Sequence, residues 1–238
     1  MKITTVASII GACLLTTNLG ATMITYNTPA GASTSAGPVA ASASFTTGSG
    51  TLQISLSDLL ANPTDIAQTI SDLEFTLSGG QTTGTLVSST STEITVAGNG
   101  TATPGGTVST GWDLNNNVGG GLQLDVLGSP VGPAHLIIGP PGAGGAYTAA
   151  NGSIAGNGPH NPFLDQTATF ALNIPGVTAD STVSSATFSF GTTEGANNVP
   201  GVAPSVPDGG STAALLGVAL IGIWFLHRKI SRNPLTLT

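Results

Sequence analysis

Through the middle of the chain apolar and polar residues take turns. Leu52, Ile54 and Leu56 alternate with Gln53, Ser55 and Ser57. The same period of two returns at Leu73, Phe75 and Leu77, at Ile94 and Val96, at Leu122, Leu124 and Val126, at Phe170, Leu172 and Ile174, and at Ala186, Phe188 and Phe190. Successive side chains of a strand point to opposite faces, so each segment reads as a half-buried antiparallel strand. Turn formers lie between them: Gly79-Gly80, Asn99-Gly100, Pro104-Gly105-Gly106, Asn115-Asn116-Asn117, Asn151-Gly152 and Asn157-Gly158. The pattern predicts an all-β body over residues 51–198, an antiparallel β-sandwich of jelly-roll-like form. Asn62 to Ser71 breaks the period: Ile66 and Ile70 stand four apart behind Pro63 and Asp65, which predicts a short surface helix or turn. His135 to Ile138 reads as a short strand inside a Gly- and Pro-rich region. Before the body, residues 22–50 are dominated by small side chains. They predict a first strand near Met23 to Asn27 and then a flexible stretch that rejoins the fold around Phe45.

Two segments are apolar without alternation, one at each end. Lys2 is followed by ITTVASIIGACLLTTNLGA, a single positive charge, an apolar core and a small-residue end, which is the form of a secretory signal peptide cleaved after Ala21. The secretion and signal-peptidase machinery are therefore expected partners. The only cysteine, Cys13, falls inside this leader, so the exported chain has no disulfide and no thiolate nucleophile. At the other end Ser211 to Leu226 carries no charge and as a helix spans about 24 Å, enough for a transmembrane helix once Trp224 sits at the interface and Arg228 and Lys229 snorkel. Arg228, Lys229 and Arg232 follow the run and act as a basic stop signal, which leaves everything before Ser211 outside the cytoplasm. Residues 199–205 read as an extended Pro-containing tether and 233–238 as a short tail.

The order Val206-Pro207-Asp208-Gly209-Gly210, apolar run, basic cluster over 206–232 resembles the PEP-CTERM class of sorting signals, in particular its Val-Pro-Asp variants. Gly209 stands where the commoner variant has Ser. The resemblance covers about a tenth of the chain. It implies recognition by an exosortase, a membrane-embedded cysteine transpeptidase, in a Gram-negative-type bacterium that makes exopolysaccharide. The stretch Asn151 to Thr193, ending in Phe188-Ser189-Phe190-Gly191, is similar to the last strands of bodies such proteins commonly carry, which implies a secreted β-sandwich and names no catalytic residues.

Charge sharpens this picture. The chain has 11 acidic and 4 basic residues, and between Ile3 and His227 there is neither Lys nor Arg. A body without cations offers no footprint for nucleic acid or for an anionic membrane surface. Its ten carboxylates, eleven less Asp208, also have no Lys or Arg to pair with.

Candidate chemistry is sparse. Asp113, Asn115 and Asn117 space three oxygen side chains as calcium loops do, but Val118 takes the place of the loop's glycine and the distal Glu is missing, so an Asx-rich hairpin turn competes. His135 and His160 could share a metal with Asp125 or Asp165; without close His spacing, turn histidines bonded to nearby backbone are the simpler expectation. No Ser stands in a Gly-x-Ser-x-Gly elbow and the glycine-rich loop at Gly139 to Tyr147 lacks phosphate-binding order. Trp112 and Tyr147 are candidate platforms for stacking a sugar ring. The sequence thus predicts a non-enzymatic, cofactor-free protein of the envelope or extracellular matrix, in the membrane through its C-terminal helix before processing and associated with exopolysaccharide. The alternative is a carbohydrate-binding or carbohydrate-modifying β-sandwich sent by the same route.

Overall fold

The computed structural model describes residues 21–128 and 135–203, together with Leu216, Gly217, Ala219, Leu220, Ile221, Ile223 and Trp224. The chain divides into two compact units, Met1–Ala203 and Pro204–Thr238. The signal peptide, the Val206 to Gly210 motif and the basic cluster lie outside the described residues. In the second unit the seven described residues are helical, and Leu216, Leu220, Ile221, Ile223 and Trp224 are exposed. Among the described residues no helix is long and apolar enough to cross a membrane.

The first unit is mostly β-sheet. Its strands are β1 Met23–Asn27, β2 Ser33–Thr34, β3 Gly37–Pro38, β4 Ala41–Gly48, β5 Thr51–Asp58, β6 Ile70–Leu77 and β7 Thr85–Val96. They continue as β8 Ala102–Val108, β9 Asp113–Val118, β10 Gly121–Asp125, β11 Ile137–Ile138, β12 Phe163–Asn173, β13 Val183–Phe190 and β14 Val199–Pro200. The pairings order β1, β4, β5, β12, β7 and β8 into one leaf. They order β14, β13, β6, β10 and β9 into a second. β2 and β3 form a separate small ribbon. The short β11 joins the leaves, parallel to β12 and antiparallel to β6. At the β1 edge Asn27 N–H donates to the Val202 carbonyl at 3.0 Å and Val202 N–H to the Asn27 carbonyl at 2.7 Å, so β1 meets the segment after β14, while β8 and β9 are left as edge strands. That pairing covers one of the sheet's edges, which are otherwise templates for aggregation.

The core fills the space between the leaves, as the alternation requires. Phe45, Leu52, Ile54, Leu56, Phe170 and Leu172 of the first leaf are buried, and so are Leu73, Phe75, Leu77, Leu122, Leu124, Ala186 and Phe188 of the second. The Phe45 and Phe75 ring centroids stand 5.5 Å apart, and Tyr26 meets Phe45 edge-on at 6.1 Å. All six alternating segments are strands or run to the end of one, with their apolar members buried. The Asn62 to Ser71 segment holds one 3₁₀ turn, Ile66–Gln68, started by a capping box: Asp65 Oδ1 accepts from Ala67 N–H at 2.9 Å, and Gln68 Oε1 accepts from Asp65 N–H at 3.1 Å. Ile70 is not part of that turn but the first residue of β6.

Several expectations need correction. The body is not wholly antiparallel, because β11 runs parallel to β12. The stretch between Asn27 and Phe45 joins the fold earlier than expected: β2 and β3 pair within it, and β4 starts at Ala41 with the burial alternation of a central strand, Ala41, Ala43, Phe45 and Thr47 inward. Small inward residues bury little area each, so the pattern is faint in hydropathy although regular in geometry. Pro104-Gly105-Gly106 lies within β8, which pairs only with β7, and an edge strand tolerates a proline that a central one does not. Of the tether expected at 199–205, Val199–Pro200 is β14 and Val202 bonds Asn27, while residues 204–205 lie outside the described residues.

Candidate functional site

The two aromatic platforms are core residues. Trp112 is 2% exposed and Tyr147 1%. Trp112 packs on Phe170 at 5.4 Å between ring centroids and donates its indole N–H to the His135 carbonyl at 2.9 Å. Tyr147 donates its hydroxyl to the Gly139 carbonyl at 2.9 Å, and burial holds its phenol above the usual range. Each amphipathic ring has found a buried partner for its polar end, which leaves no face for a pyranose. A shallow groove of about 270 Å³ beside Trp112 is bordered by Leu86, Val87, Ser88, Ser89, Ser109, Gly111 and Asp113.

Asp113, Asn115 and Asn117 do not form a loop. They lie along β9, where Asn115 faces Gln123 and Asp113 faces Asp125 of β10. Asn115 donates to Gln123 Oε1 at 3.4 Å and Asn117 Oδ1 accepts from the Thr82 hydroxyl at 2.8 Å. Asp113 and Asn115, two apart on the strand, project in parallel from one face, and Asn117, at a left-handed φ of 61° beside the bulge, bonds Thr82, whereas a calcium loop wraps its donors around one point.

His135 is buried with both ring nitrogens lacking a hydrogen-bond partner among the described residues, so the backbone bonding expected of it is not found. Glu93 Oε1 lies 3.8 Å from its Nδ1. Burial lowers the imidazole pKa, with Glu93 pulling the other way. No group of three or more His, Cys, Asp and Glu among the described residues is placed to hold a metal.

What sequence reasoning missed is a set of buried carboxylates. Asp58, at the end of β5, is fully buried; its Oδ1 accepts from Leu60 N–H at 3.0 Å and its Oδ2 has no partner among the described residues. Burial pushes Asp58 well above the usual carboxylate range, against the Leu60 and Gly139 N–H groups. Asp165 is raised by burial as well. On β6, Asp72 is 1% exposed and pushed up to about 6, first by burial, with the charge of Asp125 adding to it. Asp125 directly faces Asp72 across the β6–β10 ladder and is itself buried. The signal for these residues was in the register: Asp72 and Asp125 fall on the outward phase of their strands, where charge is unremarkable, and yet both are buried, with Leu127 and Gly128 donating their N–H groups to Asp125.

Beyond Ala203, the last residue of the first unit, the VPDSG-CTERM motif matches residues 205–230, so the segment is a PEP-CTERM-like sorting signal of the kind processed by exosortase. Such a signal implies export and association with the cell envelope. No curated protein and no solved structure matches the chain.

Proposed function

We propose that the protein is a structural, non-enzymatic β-sandwich of the cell surface or extracellular matrix, cut from its membrane segment by exosortase and held among exopolysaccharide. The observation that carries this reading is the motif match at 205–230, which begins three residues after Val202, whose bonds to Asn27 tie the end of the folded unit to β1. The folded unit therefore ends where the sorting signal starts, and removal of the signal costs the body no strand. The reading has a chemical consequence: cutting between the body and the basic cluster takes away Arg228, Lys229 and Arg232, and once the signal peptide with Lys2 is also gone the released form keeps the ten carboxylates of the body and neither Lys nor Arg. A surface of that kind repels other polyanions through charge and meets polysaccharide through its hydroxyls. Thr25, Ser44, Ser55, Thr169 and Thr90 form one uncharged row across the outside of β1, β4, β5, β12 and β7. The glycan-module alternative has lost the exposed aromatics on which it rested.

The test is made in the producing bacterium with a Pro207→Ala, Asp208→Ala double variant. Immunoblots of cell fractions are expected to find this variant at full length in the membrane fraction, while the wild-type body is recovered outside in a shortened form. A double variant shortened and released like the wild type would refute the reading.

A further inference from the structure

The chain contains three Asn-Gly pairs, beginning at Asn99, Asn151 and Asn157, and the fold treats them differently. In such a pair the side-chain amide carbon lies close to the next backbone nitrogen, and glycine has no Cβ to obstruct the approach. What decides whether the two can meet is how firmly each is held.

Two of the pairs are locked. Asn99 Oδ1 accepts from Thr101 N–H at 3.0 Å, and Gly100 N–H donates to the Ala97 carbonyl at 2.8 Å. A Cβ on Gly100 would lie 2.4 Å from the Tyr147 carbonyl oxygen, so this turn is packed closely against its neighbour. Asn151 Oδ1 accepts from both the N–H and the hydroxyl of Ser153, and its Nδ2 donates to Asp65 Oδ2. Both asparagines use the Asx turn, in which the side-chain oxygen takes the N–H two residues on.

Asn157 cannot do the same. The residue two on is Pro159, which has no N–H to give. Among the described residues its side chain makes one bond, from Nδ2 to the Ser153 carbonyl, which leaves the amide oxygen and carbon unheld. Gly158 is exposed, a Cβ built on it would meet nothing within 4 Å, and its N–H has no acceptor among the described residues.

We propose that Asn157 is a site of spontaneous, irreversible deamidation in the folded protein, with the backbone nitrogen of Gly158 as nucleophile. That nitrogen gives its proton to hydroxide and bonds to Asn157 Cγ. The Cγ–Nδ2 bond breaks, Nδ2 takes a proton from water and leaves as ammonia, and a cyclic succinimide remains. Water opens the ring at either carbonyl, giving aspartate or an isoaspartate whose main chain runs through the former side chain. One water is consumed and one ammonia released, with nothing oxidised or reduced. The product adds a carboxylate to a body that has neither Lys nor Arg. The isoaspartate also adds a methylene to the main chain just ahead of Asn161. The Asn161 amide accepts from Val96 N–H at 2.9 Å and donates to the Val96 carbonyl at 2.8 Å, so ageing slackens the loop where it is tied to β7.

The experiment keeps the purified full-length chain, folded in detergent at mildly alkaline pH, for increasing times. Chymotryptic digestion and fragmentation mass spectrometry then read each Asn-Gly pair separately. Asn157 is expected to convert first, about tenfold faster than Asn99 and Asn151, which is what one ordinary hydrogen bond is worth in rate. In the urea-unfolded chain the three pairs are expected to convert at similar rates. Pro159→Ala, which restores an N–H two residues on, is expected to slow Asn157 in the folded protein toward the other two. The proposal is overturned if Asn157 stays intact, if the three pairs convert together in the folded protein, if Asn157 leads by the same factor in urea, or if Pro159→Ala leaves its rate unchanged. The comparison of folded and unfolded wild type decides by itself should Pro159→Ala not fold.

Discussion

Acidification of the protein from pH 7.5 to about pH 4.5 is expected to raise its melting temperature, the reverse of ordinary acid denaturation. The carboxylates with shifted pKa among the described residues, Asp58, Asp72 and Asp165, are all shifted upward, chiefly by burial. A group whose folded pKa exceeds its unfolded value binds more protons in the folded state, so stability is greatest below the unfolded pKa and is lost as pH rises through the folded one. For Asp72 that window runs from 3.8 to about 6, and at ~1.4 kcal/mol per unit the gain by pH 4.5 is about 2 kcal/mol. Asp58 and Asp165 add in the same direction. His135 opposes them: its lowered pKa means the unfolded chain takes up the proton first, and stability drains as pH falls below 6.5. Glu93 at 3.8 Å limits that loss, and one histidine stands against three carboxylates. Calorimetric melts across this range check the balance. A Tm that falls steadily from pH 7.5 to 4.5 would contradict it, and Asp72→Asn should flatten the profile by its own share.

Phe45→Ala is expected to cost about 3–5 kcal/mol, a large share of the roughly 5–15 kcal/mol that holds a domain folded. Phe45 is wholly buried on β4, edge-on to Tyr26 and tilted against Phe75 of the facing leaf. Its neighbours Ala41 and Ala43 are too small to collapse into the void, so the cavity persists. Chemical denaturation should show the loss directly. A cost under about 1 kcal/mol would mean that residues 41–48 are peripheral, as a linker would be.

That position also marks what the sequence could and could not tell. Strands with large inward residues, such as β5 with Leu52, Ile54 and Leu56, declared themselves, because a period of two in hydropathy is the physical requirement of a half-buried sheet. β4 satisfies the same requirement with Ala, Thr and one Phe, and its signal fell below that of the glycines and serines around it. β9 carries Asn115, Asn116 and Asn117, residues with turn chemistry, yet its pairing with β10 overrides that preference. Asp72 and Asp125 read as solvated charges since nothing local says that the folded chain will bury them. Trp112 and Tyr147 could not be placed inside or outside by composition alone; the partners that bury them, His135 and Gly139, are supplied by tertiary structure. The sorting motif was legible for the opposite reason: an enzyme reads it as a linear order of residues, so no fold stands between sequence and meaning.

The central claim is that the C-terminal segment is an address removed in transit. Intact-mass spectrometry of the protein recovered from outside the cell tests it most directly, and intact mass is required because trypsin finds no Lys or Arg between Ile3 and His227. The account predicts one mass for a chain that begins near Thr22 and ends within or just after Val206 to Gly210. A surface-exposed protein that still carries Arg228, Lys229 and the residues through Thr238 would contradict it and leave the segment a permanent anchor.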